Sequence, residues 1–357
     1  MRTLPEDPLR ATIFEDGQAR AVIDARLDNR ADLLAELGIG DATLPEGALI
    51  LAAWRRWGED CVRHFVGDFA LIIYDADTQR IFAARDHMGV KPLFYRADNA
   101  GLALASEPKV LAAPGAPFSD LSKAGLIEAD VADFITGQLP RDHRVVYDGL
   151  WRVTPGHILS AGPDLTPVLT SYWQAAADET ITDKSPAALR ALLTEAVRCR
   201  LRSPQPVAAL LSGGLDSTSI ACLSSQLQTD AVDSFSIVFD KTPHLSERDY
   251  IDAGIAHGHF RPRHVAMDGY APFGDFEALL KLEGRLFGAP GLRMTSSLFQ
   301  RSDSSVSVVS CKSMCATNWP CSGATRRMSA SASCARPKAL NERLGSTASK
   351  FQRWLRS

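Results

Sequence analysis

Leu210-Leu211-Ser212-Gly213-Gly214-Leu215-Asp216-Ser217-Thr218-Ser219 is the stretch that decides how this chain is read. The apolar run Val207 to Leu211 reads as a buried strand, and Ile220, Leu223, Ser224 and Leu227 fall on one helical face. The glycines therefore sit on a strand-to-helix turn, where backbone N–H groups and a helix N-terminus hold an anion. Gly213 and Gly214 let the backbone approach a phosphate with no Cβ in the way. Ser212, Ser217 and Thr218 add hydroxyl donors. Asp216 is the odd member, because a carboxylate repels phosphates. It makes sense if it caps the helix, binds the loop's own amides, or helps hold a Mg²⁺ that bridges to the phosphates. Neither a Gly-Lys-Ser/Thr ending nor a G-x-G-x-x-G spacing is present.

The bland alternative is an ordinary glycine-rich βα turn, which a bare pair of glycines would favour. The full string Ser212-Gly213-Gly214-Leu215-Asp216-Ser217 instead resembles the pyrophosphate loop of the ATP pyrophosphatases, Ser-Gly-Gly-x-Asp-Ser. That resemblance implies ATP and Mg²⁺ as cofactors, cleavage between the α- and β-phosphates, and activation of an acyl group as its adenylate. It implies that Leu211 to Ser217 contact the nucleotide, with Asp216 toward the metal. It also has the end of the next strand supply backbone to the adenine, which places Ile237 near the base and Leu211 opposite it.

A second set of strings lies upstream. Gly67-Asp68-Phe69-Ala70, Ala84-Arg85-Asp86, Gly89-Val90-Lys91-Pro92-Leu93 and Ala105-Ser106-Glu107-Pro108-Lys109 closely resemble the N-terminal domain of asparagine synthetase-like enzymes. Pro155-Gly156-His157 and Tyr172-Trp173 match that family's turn and the close of its first domain. The fold implied is α/β. An N-terminal-nucleophile (Ntn)-hydrolase-like αββα domain is expected over residues 1–175. A Rossmann-like, parallel-sheet ATP-pyrophosphatase domain, truncated, is expected over 183–292. Taken alone, Arg85-Asp86 reads as a structural ion pair sooner than a catalytic pair, and His157 as a satisfied turn residue.

Departures from the family pattern bear on mechanism. A glutaminase of this type uses an N-terminal cysteine whose α-amine serves as base. Here the chain starts Met1-Arg2-Thr3, and the first cysteine is Cys61. Where the family's oxyanion loop carries Asn-Gly-Glu stands Asp24-Ala25-Arg26, and an aspartate repels an oxyanion. The glutaminase is therefore expected to be dead. Asp28-Asn29-Arg30 has the form associated with β-lactam synthetases and lasso-peptide macrolactam synthetases. The resemblance then implies an AMP-forming amide ligase, either a peptide cyclase or a glutamine-independent asparagine synthetase. Its substrate would be a small-molecule or peptide carboxylate, and a cyclase would meet a precursor peptide and a processing protease. The alternative is a non-catalytic nucleotide- or partner-binding remnant.

The formal charge of −3 hides a split, because residues 293–357 hold eleven Lys/Arg and two acids. The segment Thr295 to Cys334 has twelve serines and four cysteines, and no sustained period beyond Val306-Ser307-Val308-Val309. Relatives carry a second glycine-rich loop, Ser-Gly-x-Gly-Gly-Asp-Glu, and a catalytic lysine in this part, and neither is seen. Residues 293–357 are accordingly expected to be an aberrant, disordered tail that leaves the chain inactive. The spacing of Cys311, Cys315, Cys321 and Cys334, with no histidine nearby, argues against a zinc site. Glu283, within a helix expected from Phe276 to Phe287, matches a glutamate that relatives place before their acceptor loop; a solvated helix carboxylate is an equal reading. No apolar run reaches a membrane-span length and no signal peptide is apparent. A cytoplasmic protein with no membrane or nucleic-acid partner is expected.

Overall fold

The computed structural model describes residues 4–7, 13–99, 101–111, 127–136, 144–145, 147–175, 183, 185–269 and 307–309. It opens on a hairpin. β1 (Phe14–Asp16) and β2 (Ala19–Leu27) pair antiparallel across the Gly17 turn, with Asp16 opposite Ala19. Two helices follow, α1 (Arg30–Glu36) and α2 (Glu46–Trp57), and then a 3₁₀ turn over Gly58–His64. Asn29 is the cap residue of α1, but its side chain bonds elsewhere: it accepts from Val66 N–H at 3.0 Å and donates to His64 C=O at 2.8 Å.

The main sheet is completed by β3 (Gly67–Asp75), β4 (Arg80–Arg85), β8 (His157–Ala161) and β9 (Val168–Ser171), in the order β1-β2-β3-β4-β8-β9. A second sheet is built from β5 (Phe94–Asp98), β6 (Gly101–Ala105) and β7 (Trp151–Arg152), in the order β6-β5-β7. α3 (Pro108–Leu111) and α4 (Glu128–Ile135) lie between β6 and β7 in sequence.

β3 shows why this half folds as it does. Its sequence is apolar almost throughout because both of its faces are covered. Leu71 and Ile73 join the core made with α1 and α2, while Ala70 and Ile72 pack toward Leu93, Tyr95, Leu102 and Leu104 of the smaller sheet. Alternation with period two sends successive side chains to opposite cores. The outer face of the smaller sheet is covered by Leu111 of α3, with Phe94, Ala103 and Leu150. This is the helix–sheet–sheet–helix layering expected for the first domain. Fully buried Phe65, Phe69 and Phe82 anchor it, each contributing about 1.5–3 kcal/mol through area removed from water.

Arg85 lends a favourable charge to the buried Asp86 carboxylate, as a structural pair would. Each also clamps backbone, Arg85 as donor to carbonyls and Asp86 as acceptor from amides. His157 Nδ1 lies 2.8 Å from Pro155 C=O, in keeping with a turn residue.

The second half starts with α5 (Pro186–Arg200). Ser185 caps it, accepting from Ala188 N–H at 3.2 Å, with Pro186 in the first turn. Then come β10 (Val207–Leu210), α6 (Leu215–Gln226), β11 (Val232–Val238), α7 (Arg248–Ala256), β12 (Phe260–Ala266) and β13 (Ser307–Val309). All strand pairs in this sheet are parallel, in the order β12-β11-β10-β13.

The local pattern and the fold part company at two places here. Ser246 with Asp249 reads as a capping box for α7, yet the cap residue is Glu247, and Ser246 Oγ accepts from Phe239 N–H at 3.3 Å. The hydroxyl is drawn to an amide left over at the end of β11. In addition, the segment expected to be a structureless tail contains β13, which pairs with β10 through Val207–Ser307, Ala208–Val308 and Ala209–Val309. A three-residue strand with two valines suffices because β10 offers a ready edge. The rest of that tail, with the zinc question, lies outside the described residues.

Candidate functional site

β10 lies inside the parallel sheet, between β11 and β13. Strand order runs outward on one side through β11 to β12, then jumps to β13 on the other. Open parallel sheets bind ligands at such a reversal, beyond the carboxyl ends of the strands. The glycine loop leaves β10 at that end.

Gly213 has φ +84°. A Cβ there would lie 3.0 Å from Tyr250 Cβ, 3.2 Å from Glu247 C=O and 3.3 Å from Ile251 N. The first turn of α7 thus packs directly on the loop, which requires glycine for both its conformation and its space. Gly214 is the cap residue of α6, at φ −68° and ψ 151°. The amides of Leu215, Asp216 and Ser217 are the first three of α6 and have no intrahelical acceptor. They give the loop the positive end of a twelve-residue helix.

The hydroxyls are largely engaged within the loop. Ser212 Oγ and Ser217 Oγ are 2.7 Å apart. Ser217 Oγ donates to Gly214 C=O at 3.2 Å and accepts from Ser212 N–H at 3.2 Å. Ser217 is buried and Ser212 exposed. Thr218 Oγ1 is buried with no hydrogen-bond partner.

Asp216 is exposed, at the second position of α6. Neither the capping role nor the amide-binding role is seen among the described residues. Among the described residues no group of three or more His, Cys, Asp or Glu side chains could hold an ion unaided. A Mg²⁺ at Asp216 would have to be shared with the phosphates it serves.

Leu211 and Ile237 prove unlike one another. Leu211 is fully buried with Ala221 and Ile251, against α6 and α7. Ile237 is half-buried on the opposite face of the sheet, beside Phe235, Val265 and Met267. Their side chains lie on opposite faces of the sheet. The backbone is arranged differently. Leu211 N–H donates to Phe235 C=O at 3.0 Å, the last bond from β10 to β11, and Met267 N–H donates to Val238 C=O at 3.0 Å on the other side. By alternation the backbone groups of Ile237 point to the β10 side, just past the place where β10 has turned away.

One supporting residue was not legible as part of the site. The Asp268 carboxylate accepts from Asp240 N–H and Lys241 N–H, each at 2.7 Å. It holds the loop that follows β11, and those bonds keep its carboxyl below the usual range. Its only sequence signal is an acid before Gly269 at a strand end. Glu283 lies outside the described residues.

In the first domain, Asp24 carries a bridge to Lys91 Nζ at 2.5 Å. Cys61 is fully buried, and burial pushes its thiol up to about 12, against an ordinary value of 9.0. At pH 8 its thiolate is therefore about a thousandfold scarcer than that of a free thiol. Iodoacetamide at pH 8 is expected to leave Cys61 unlabelled in the native protein and to label it after denaturation, by peptide mass mapping. Native labelling at the rate of a free thiol would show that this cysteine is reachable and reactive.

Comparison with known proteins gives two adjoining matches. Residues 22–173 match the family model described as a glutamine amidotransferase domain, and residues 188–309 match the asparagine synthase model. The chain is 30% identical over 225 residues to a protein named amidase chry2 from Gibberella zeae, covering 60% of this chain and 32% of that protein. It is 30% identical over 209 residues to asparagine synthetase [glutamine-hydrolyzing] 3 of Bacillus subtilis, covering 57% and 33%. It is 29% identical over 273 residues to a putative asparagine synthetase [glutamine-hydrolyzing] of Methanocaldococcus jannaschii, covering 71% and 52%. The chain thus spans between a third and a half of the length of these curated relatives.

Proposed function

Because this chain belongs to the asparagine synthetase-like family of ATP-dependent amidotransferases and ligases, we propose that its glycine loop binds Mg·ATP and that the reaction it descends from is carboxylate adenylation followed by amide formation. The observation that carries this reading is the loop itself. A positive-φ Gly213 is wedged against α7, three helix N-terminal amides are left open, and Asp216 stands exposed beside them with no bonded partner among the described residues. In this reading those amides cradle the phosphates, the backbone of Ile237 meets the edge of the adenine, and Asp216 reaches the metal. The bound cation would offset phosphate charge and polarise the α-phosphorus for attack by the carboxylate.

The amine is proposed not to come from glutamine. Asp24, at the position where glutaminase relatives place an oxyanion donor, is an acceptor engaged by Lys91, and Cys61 is buried and protonated. A peptide amine, as in a macrolactam cyclase, or free ammonia fits this better. The acceptor is proposed to be a small-molecule or peptide carboxylate.

A second reading, nucleotide binding without turnover, is favoured by one sequence fact. The residues after Val309, Ser310-Cys311-Lys312-Ser313, lack the acidic glycine loop that relatives set against the pyrophosphate. ATP–pyrophosphate exchange separates the two readings. Exchange with candidate carboxylates supports the ligase; ATP binding with no exchange supports the remnant; absence of ATP binding sinks both.

Asp216→Ala is expected to weaken Mg·ATP binding about tenfold or more, and metal-free ATP much less, measured by calorimetry with and without Mg²⁺. Equal losses in both conditions would give Asp216 a structural role instead.

A further inference from the structure

We infer that the end of β2 and the end of α5 form a docking latch, through which the first domain holds the strand that delivers the glycine loop. The latch is an exchange of arginines. From the first domain, Arg26 Nη1 donates to Arg202 C=O at 2.9 Å, and its Nη2 donates to Cys199 C=O. The Cys199 carbonyl lies in the last turn of α5, where its backbone donor is the distant Arg202 N–H at 3.5 Å, and the Arg202 carbonyl follows the helix end. A guanidinium there satisfies them and meets the negative end of the helix.

The second half reaches back in the same way. Arg202 Nη2 donates to Leu27 C=O at 3.0 Å and to Glu46 Oε1 at 2.5 Å. Arg200 grips Asp68 with both guanidinium nitrogens, one of them at 2.9 Å from Oδ1, and lies 3.0 Å from Asp28 Oδ2. Glu6 pairs with Arg202 at 3.5 Å and Arg30 with Glu46 at 3.1 Å.

Charge shows that this is an interface and not two separate structures that happen to touch. The first domain supplies two arginines, Arg26 and Arg30, and four carboxylates, Glu6, Asp28, Glu46 and Asp68. The second supplies two arginines, Arg200 and Arg202. The first domain's side is therefore −2 by formal charge and the partner side +2, and only the docked pair is neutral. The side chains involved are mostly withdrawn from solvent, with Glu46 2% and Asp68 10% exposed. Buried carboxylates left without their arginines are strongly unfavourable. β10 begins five residues after Arg202, so the latch fixes the approach of the strand that leads into Ser212-Gly213-Gly214. On this inference the first domain has work to do whether or not it handles glutamine, as the platform on which the nucleotide half is set.

The test is hydrogen–deuterium exchange on the full chain, comparing Arg26→Gln with the unsubstituted protein. Amides of residues 197–211 are expected to exchange about tenfold to a hundredfold faster, while those of β3 and β4 stay as they were. Arg26→Lys, which keeps the charge and can reach one carbonyl, should fall between; it also supplies the answer if Arg26→Gln does not fold. Arg55→Gln breaks an exposed pair with Asp16 and serves as the control for losing an arginine. Unchanged exchange at 197–211, or equal acceleration in β3 and β4, would overturn the latch. ATP affinity is expected to fall in step with the exchange at 197–211. That last readout alone rests on the nucleotide reading, so failure of the unsubstituted chain to bind ATP would sink that reading while the exchange result still judges the latch.

Discussion

Asp86→Ala is expected to cost the first domain about 3–5 kcal/mol, enough to leave it marginally folded or unfolded at 25 °C. The carboxylate of Asp86 is buried and accepts four backbone amides: Phe69 at 3.3 Å, Met88 at 3.1 Å, Val90 at 2.8 Å and Lys91 at 2.7 Å. Alanine would strand those donors at a mostly buried site, where each costs about 1–3 kcal/mol, offset in part as the part-exposed amides of Met88, Val90 and Lys91 turn to water. The effect spreads because Arg85, beside it, is tied in the same way. Its guanidinium donates to Lys91 C=O at 2.8 Å, Val153 C=O at 2.8 Å and Gly89 C=O at 2.6 Å, and its own carbonyl accepts from Tyr172 Oη at 2.9 Å. Gly89, at φ +67°, has no room for a Cβ, which would lie 2.7 Å from Pro155 Cγ. Chemical denaturation of Asp86→Ala beside Asp86→Asn measures the effect. The asparagine can still accept through its one oxygen and should lose roughly half as much. A loss under 1 kcal/mol for Asp86→Ala would mean that the loop re-forms its bonds without the carboxylate.

Gly213→Val is the counterpart in the second half, and its expected effect falls on binding more than on folding. The residue sits at φ +84°, which a β-branched side chain tolerates badly, and α7 closes the space around it. Strain of about 1–3 kcal/mol follows, and it is relieved most cheaply by moving the exposed loop away from α7. Displacement breaks the convergence of amides on the phosphates, so ATP affinity should fall about a hundredfold, with thermal unfolding shifted only a few degrees. Gly214→Ala is the useful comparison. A Cβ at Gly214 meets nothing nearer than Ser212 Oγ at 3.5 Å, and its φ is ordinary. Any affinity lost there reports crowding of the ligand and not distortion of the loop. Tight ATP binding by Gly213→Val would rule the loop out as the phosphate site.

How much of this was legible in the sequence differs by residue, for physical reasons. β3 could be read because Phe69 to Ile73 answer to burial on both sides, and burial is written locally as composition. The strand-loop-helix around Gly213 could be read because backbone conformation restricts residue type at each step. The clamps of Arg85 and Asp86 could not, since their partners at Phe69 and Val153 are brought in by the fold. The latch was hidden for the same reason, with Arg26 and Cys199 far apart in sequence and each unremarkable alone. Ser246 reads as a cap because local rules favour it; the fold supplied a competing amide at Phe239. Leu211 reads as a base contact by position, and only the observed alternation shows its side chain turned to the other face.

The place of β13 also bears on how the protein is made. β10 emerges from the ribosome early, yet its second flank is closed by a strand roughly a hundred residues downstream. At about 5–20 residues per second that interval lasts on the order of 5–20 seconds. Through it the inner strand of the sheet is an outer one, with the N–H and C=O groups of Val207 to Ala209 free to pair with any extended chain at hand. The nascent protein is therefore most exposed to misassembly after α7 and β12 are in place and before Val309 has been added.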